Sequence, residues 1–292
     1  MPIIPLYNSP SNPDAWHRVR SPGGYEWSHF DAQDSQSDRQ LIVNFYDGDV
    51  FNPVYRERYA RYRRRPTQNP PPLAREFPCV HFTIYENGRV FFNRQLAASE
   101  FVGSDDSPSL AMGKNRVEVA GDKLRLTLLD QSVSAEIIFR PVLAFRPQIK
   151  TIDADHHWVI ANSLCDVDAT MDLGGEKMNF RGKGHRDHQF GTSLPTQRSV
   201  HGRVLLEDAV CAFHISQSPI LIEVDASGAG QAQISRCACD WHSPIPRTIQ
   251  LDEVLSLSNP RVLDSSPPRA MYDAVWRGRK ATALCAINRF RD

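Results

Sequence analysis

Pairs of turn residues punctuate this chain from end to end, each flanked by short apolar runs. Asn87-Gly88 sits between Cys79–Tyr85 and Val90–Leu96. Both turn residues tolerate positive φ, which makes Asn-Gly between two such runs the strongest local hairpin signal. Gly121-Asp122 separates Arg116–Val119 from Leu124–Leu129, and Gly174-Gly175 separates Met171 from Met178. Glu207-Asp208 lies between Val200–Leu206 and Val210–Ile215, and Ser227–Gly230 between Leu221–Val224 and Ala232–Arg236. Arg277–Lys280 joins Tyr272–Trp276 to Ala281–Ile287. Arg39–Tyr46 has the apolar and aromatic content of a further strand. Helical periodicity is almost absent, and Pro53–Arg64 is the one segment that reads as a helix. Hairpins in series give an all-β antiparallel meander, which closes into a barrel or sandwich. Barrels of this kind often enclose one ligand.

With 292 residues the chain has room for one large β domain or two smaller ones. The pattern restarts near Arg146-Pro147. Each half opens with an aromatic, histidine-bearing strand: Tyr25-Glu26-Trp27-Ser28-His29-Phe30, then His156-His157-Trp158. We therefore expect halves at 24–147 and 148–292, preceded by a Pro-, Ser- and Asn-rich arm at 1–23 lying over the surface. Lys plus Arg equals Asp plus Glu, 34 each, so global charge points to no nucleic-acid or membrane partner. The N-terminus lacks the basic and apolar regions of a signal peptide, and no apolar run approaches the roughly 18 residues of a membrane span. The expected compartment is the cytoplasm, where the six cysteines stay reduced. Cys79, Cys165, Cys211 and Cys285 read as small core residues. Cys237 and Cys239 form a lone CxC that would need further ligands to hold a metal. The basic run Tyr55–Arg65 reads either as a solvated helix face or as a contact for phosphate, RNA or an anionic lipid surface, the last implying peripheral membrane contact.

No Gly-rich phosphate loop, nucleophile elbow or HExxH occurs, and Ser107, Ser193 and Ser218 have no signature around them. Nucleotide-dependent and serine-hydrolase chemistry are thereby set aside. The densest polar cluster is Phe180–Gly191. As a strand it places His185, Asp187 and Gln189 on one face and Arg186, His188 and Phe190 on the other. An imidazole beside a carboxylate is a workable proton-transfer pair. An aspartate in an apolar pocket has its pKa raised by desolvation and serves as a proton donor near neutrality. Aromatic faces nearby stabilise the cation that alkene protonation forms. The competing reading is a charged loop with His and Asp in mutual hydrogen bonds. Zinc at His185, Asp187 and His188 is disfavoured, because histidines three apart on a strand face opposite ways. His156 and Trp158 share one strand face; Tyr25, Trp27 and His29 share another, with Asp31 next in line. Each set fits a pocket wall or plain core packing.

The run Gly182-Lys183-Gly184-His185-Arg186-Asp187-His188-Gln189-Phe190-Gly191 resembles the carotenoid 1,2-hydratase (hydroxyneurosporene synthase) family, whose hallmark reads roughly Gly-x-Gly-Tyr-x-Asp-His-Asn-Trp-Gly. Val200-His201-Gly202-Arg203-Val204 is similar to that family's next strand, Trp-x-Trp-Gly-Arg. Gly24–Phe30 is similar to its Glu-Trp-Trp-Tyr-Phe opening, and His156-x-Trp158 to its His-x-Trp pair. Order and spacing agree from about residue 20 to 290. The resemblance implies two lipocalin-like β domains, no cofactor, and a hydrophobic polyene or isoprenoid substrate. It implies Asp187 as the acid that protonates an alkene before water adds, with His156 and Trp158 assisting; His185 joins the catalytic set as the imidazole that strand alternation places beside Asp187. The candidate substrate-binding residues are Tyr25, Trp27 and His29, which share a strand face, with His188, Gln189, Phe190, His201 and Arg203 of the similar segments. The hallmark Tyr, Asn and Trp are here His185, Gln189 and Phe190, and the second Trp of the opening is Ser28. These departures favour a more polar polyene or a polyketide. Three functions follow: a hydratase or cyclase working by acid catalysis, a pericyclase that folds a polyene in its pocket, or a non-catalytic carrier of a hydrophobic ligand.

Overall fold

The computed structural model describes residues 10–96, 100–143, 147–153, 155–192, 198–241, 244–265 and 268–288. Residues 1–9 of the arm, Arg146 of the expected boundary and Ser193 lie outside them. The strands of the first sheet are β1 (Tyr25–Asp34), β2 (Gln40–Asp47), β3 (Cys79–Glu86), β4 (Arg89–Leu96), β5 (Phe101–Gly103), β6 (Leu110–Met112), β7 (Asn115–Ala120), β8 (Lys123–Asp130), β9 (Val133–Pro141), β10 (Gln148–Asp153), β11 (His156–Leu173) and β12 (Glu176–Gly191). Those of the second are β13 (Ser199–Leu205), β14 (Val210–Ile215), β15 (Ile220–Asp225), β16 (Gly228–Ala232), β17 (Cys237–Cys239), β18 (Ile249–Leu251), β19 (Leu255–Ser265), β20 (Pro268–Trp276) and β21 (Arg279–Asn288). The first sheet runs β4-β3-β2-β1-β12-β11-β9-β8-β7-β6-β5, with β10 on β11; the second runs β16-β15-β14-β13-β21-β20-β19-β18-β17. One α-helix, α1 (Pro53–Arg64), and a short 3₁₀ turn (Ala74–Glu76) complete the described elements.

The hairpins form where the turn chemistry placed them. Asn87 (φ 53°) and Gly88 (φ 70°) both adopt the left-handed backbone that a tight β3–β4 turn demands. One differs: β16 already begins at Gly228, inside the expected Ser-Gly-Ala-Gly turn, and pairs Gly228 with Asp225. Helix α1 begins where Asn52 accepts the Val54 and Tyr55 backbone N–H groups, with Pro at the first position.

Each sheet wraps its own core. In the first, Leu41, Val43 and Phe45 of β2 pack with Phe30, Phe82, Ile137 and Phe139. The second is built on Phe213, Leu221, Leu257, Tyr272, Trp276 and Ile287. Smaller contacts join the two sheets: Ile42 and Tyr85 of the first meet Leu263, Met271 and Leu284 of the second. Strand β2 is therefore buried on both faces. One face fills the first core, and the other, with Ile42, Asn44 and Tyr46, turns toward the second sheet.

Two organisational expectations are revised. The sheets divide between Gly191 and Ser199, not near 147, and β10, β11 and β12 hydrogen-bond into the first sheet. The reason lies in β12, which pairs with β1 from Tyr25↔Gly191 to Asp34↔Gly182. Glycines at 182 and 184 let the backbones approach: a Cβ on Gly182 would stand 1.8 Å from the Gln33 carbonyl oxygen, and one on Gly184 2.8 Å from that of Asp31. The described part of the arm, residues 10–23, in turn, does not simply lie over the surface. Asp14, Ala15, Trp16, His17 and Val19 are buried. Trp16 joins the first core and its ring stacks 5.1 Å from His188. The Cys237–Cys239 pair forms β17, and all six cysteines are free.

Candidate functional site

Strand alternation builds the site. On the front face of β12 stand His185, Asp187 and Gln189. Opposite them on β1 are Asp31, His29 and Trp27, in the register Asp31↔His185, His29↔Asp187 and Trp27↔Gln189. Strand β2 adds Ile42, Asn44 and Tyr46. The second sheet closes the space with His201 and Arg203 of β13, Arg269 of β20, and Leu284 to Ala286 and Asn288 of β21. Phe51, partly buried, completes the lining. The space between these walls is a partly open cleft of about 620 Å³.

Asp187 is fully buried behind this wall. It accepts from His201 Nε2 at 2.7 Å and from Gln189 Nε2 at 3.2 Å, with His185 Nε2 3.4 Å away. Burial alone would raise its pKa. The charge of His201, the hydrogen bonds from His185 and His201, and the charge of His29 outweigh that and hold it well below the usual carboxylate range. This corrects the expectation of a carboxyl kept protonated by an apolar pocket: the pocket around Asp187 is made of imidazoles. His185 Nδ1 lies 3.1 Å from the Ser163 carbonyl, which can only accept, so that nitrogen carries a proton.

The neighbouring acid is likewise ionised. Asp31 is buried, yet Arg203 grips it through Nε (2.6 Å) and Nη2 (2.5 Å), and His29 Nε2 adds a bond at 3.1 Å. The Arg203 charge and the His29 hydrogen bond override burial and pull its pKa far down. His29 bonds Asn44 Oδ1 through Nδ1 at 2.6 Å, so both ring nitrogens face oxygens. Burial disfavours its charge, but Asp31 and Asp187 prevail and raise its pKa. The cavity thus presents an imidazole whose protonated form is favoured by two facing carboxylates.

Other expected site residues take supporting places. Trp158 packs edge-on against His201 at 5.0 Å, behind the cavity wall. Tyr25 and His156 are bonded to each other at 2.6 Å, beneath the wall. His188 and Phe190 depart from the expected substrate-binding role. The pleat turns them to the back of β12, where His188 Nε2 bonds Glu26 Oε1 at 2.8 Å and Phe190 stacks on His17 at 3.7 Å. The same reversal separates His188 from His185 and Asp187, so no zinc set forms there. His17, Glu26 and His188 do converge, as do Asp49, Cys79 and His81. Glu26 already accepts the backbone N–H groups of His17 (2.7 Å) and Arg18 (2.9 Å) besides both imidazoles, so it acts as the hub that pins the arm. Sequence reasoning missed Asn44, Arg269 and Asn288, which come from strands without any local motif, and His214, whose ring lies 6.0 Å from His201.

His156 supplies a pH prediction. Burial, with repulsion from His201 and His157, pushes its pKa down to about 3. Below about 6.5 the unfolded chain binds a proton at this position while the folded one does not, so stability falls as pH drops from about 6.5 toward 3. We expect His156→Gln to make that decline shallower by up to about 1.4 kcal/mol per pH unit, read by urea denaturation between pH 6 and 4. An unchanged slope would refute the assignment.

No protein-family model matches the chain. Among curated proteins, a hydroxyneurosporene dehydrogenase of Chlorobaculum tepidum is 31% identical over 212 residues, 64% of this chain and 54% of that protein. The chain thus spans about half the length of the curated relative it matches. Among solved structures, CghA with Sch210972 superposes with a TM-score of 0.61 at 9% identity, covering 97% of this chain and 93% of that one. Kievitone hydratase from Nectria haematococca gives 0.55 at 11% identity, covering 99% and 94%. At such identities the structures show a common fold: the two sheets are two lipocalin-like domains, as the resemblance at residues 182–191 implied. The sequence similarity is to a carotenoid-related protein.

Proposed function

We propose that this chain is an enzyme that protonates an alkene of a largely apolar small molecule, giving hydration or cyclisation. The observation that carries the reading is the ionised Asp187, buried behind His201 and His185, which themselves face a cavity walled by Trp27, Tyr46 and Phe51. The proton leaves from the Asp187–imidazole pair through its cavity-facing member, His201 or His185. The aromatic faces stabilise the carbocation. Water then adds its oxygen and returns a proton to the pair, or a second alkene closes a ring and a carbon-bound proton is lost. Neither course changes oxidation state overall, so the reading requires no cofactor. The names of the similar proteins, which include a hydratase and a hydroxyneurosporene protein, support the substrate class. The test is mass spectrometry of extracts from a polyene-producing host expressing the chain, beside an Asp187→Asn control. A product heavier by one water, or of equal mass and altered retention, should appear only with the wild type; identical extracts would overturn the reading.

A protein with an apolar substrate gains from meeting it at a membrane. No helix among the described residues is long and apolar enough to cross one. Helix α1 and its C-cap carry Arg56, Arg58, Arg61, Arg63, Arg64 and Arg65. Arg58 is paired with Glu76 and Arg61 with Glu57, which leaves four without a carboxylate partner among the described residues. The helix starts two residues after Phe51, which lines the cavity, so docking it on anionic lipid would bring the bilayer close to the site. Arg63, Arg64 and Arg65 together to Ala should weaken binding to anionic vesicles roughly 100-fold, at about 1 kcal/mol per arginine. Unchanged sedimentation with vesicles would remove the lipid contact. The balanced net charge supports no nucleic-acid partner.

A further inference from the structure

The two guanidinium groups of the cavity wall are not equivalent. Arg203 is neutralised by Asp31 and bonded to Gln40 Oε1 at 3.2 Å. Arg269 is 5% exposed, and among the described residues no carboxylate oxygen lies within 4.0 Å of it. Its Nη1 donates to the Tyr85 hydroxyl at 3.0 Å, and that hydroxyl donates to Asp264 Oδ2 at 3.3 Å. The nearest counter-charge is thus held off by a neutral phenol, whose ionisation burial opposes. A guanidinium cannot shed its proton. Burying a cation without a partner is costly, and the cost is recovered when an anion arrives. Arg269 has five N–H donors, of which Tyr85 engages one. The planar fork of the rest suits a carboxylate or a delocalised enolate, bound through two parallel bonds. Asn44 and Asn288 line the same space with further amide groups. Such a wall is a poor match for a pure hydrocarbon, since entering carbon would strip water from these groups and return nothing.

We propose that Arg269 seats an anionic head group, a carboxylate, enolate or phenolate, so that the substrate is a polyene with an acidic end rather than a hydrocarbon. The proposal rests on the reading above that this cavity is the substrate site. The head and the adjoining alkene would then lie against Arg269, with the apolar tail along Trp27, Tyr46 and Phe51 of the same cleft.

The test is titration calorimetry at pH 7 with matched pairs, sorbate against sorbyl alcohol and octanoate against octanol. The wild type should bind each acid about tenfold or more tightly than its alcohol. Arg269→Met should erase that preference, and Arg269→Lys should keep part of it. The apo Arg269→Met protein should melt no lower than the wild type, because an uncompensated buried charge has been removed; this readout does not depend on any ligand. Equal affinity for acid and alcohol, a preference that survives in Arg269→Met, or no saturable acid binding up to about 10 mM would each overturn the proposal. None of these would touch the proton-transfer reading, which stands or falls with turnover in Asp187→Asn.

Discussion

Asp187→Asn should lower turnover by about 10²–10⁴-fold while leaving the fold intact. The side chains are isosteric, but the amide removes the buried negative charge that faces His185 and His201. Its NH₂ group also presents a donor where His201 Nε2 now donates at 2.7 Å. The pair then has nowhere to store or recover a proton. His201→Gln should approach the same loss, since it removes the cavity-facing imidazole nearest Asp187, at 2.7 Å. Far-ultraviolet circular dichroism and melting of both variants should match the wild type within a few degrees. Turnover within about threefold of wild type in Asp187→Asn would end the acid-catalysis account.

The second large effect is on stability. Arg186 is 1% exposed, on the back face of β12, and its buried partner Asp14 comes from the arm. Its guanidinium also lies 5.2 Å above the Phe30 ring. Asp14→Asn leaves that cation without its counter-charge in the interior. The expected cost is about 3–5 kcal/mol, the range for breaking a buried pair by removing one member. Urea denaturation measures it. Restoring balance with Asp14→Leu and Arg186→Met together should recover much of the loss, because both desolvated charges go at once. A single-variant loss below about 1 kcal/mol would show that the arm is not anchored through this pair.

The same pair shows where sequence reasoning stops. The alternation of Phe180–Gly191 correctly separated His185, Asp187 and Gln189 from Arg186, His188 and Phe190, because strand pleating is a strict two-residue rule. Asn87-Gly88, Gly174-Gly175 and Arg277-Gly278 were legible as turns because positive φ is a local property of the backbone. What each face meets is not local. The arm at 10–23 is rich in loop-forming residues, yet Trp16, Asp14 and His17 find partners more than a hundred and sixty positions away on the back of β12, apart from the nearby hub at Glu26. The sheet boundary was hidden for the same reason. A pattern restart near 147 marks a new hairpin, while sheet membership is decided by the glycines that let β12 lie against β1. The ionisation of Asp187 was misjudged because burial was visible in the apolar context, whereas the histidines that oppose it arrive from β12, β13 and β1 together. Arg269 carried no signal: Pro268-Arg269-Ala270 is an ordinary strand start, and only the two-sheet packing makes it a cavity wall.

The most direct test of the central claim is turnover of purified protein on a polyene extract in D₂O, with the product read by mass spectrometry after exchangeable hydrogens are washed back. Protonation of an alkene carbon from the Asp187–imidazole pair places one carbon-bound deuterium in the product, and the account predicts that label in every turnover. A product formed at full rate with no carbon-bound deuterium would contradict it, and would mean that the cavity folds its substrate without giving it a proton.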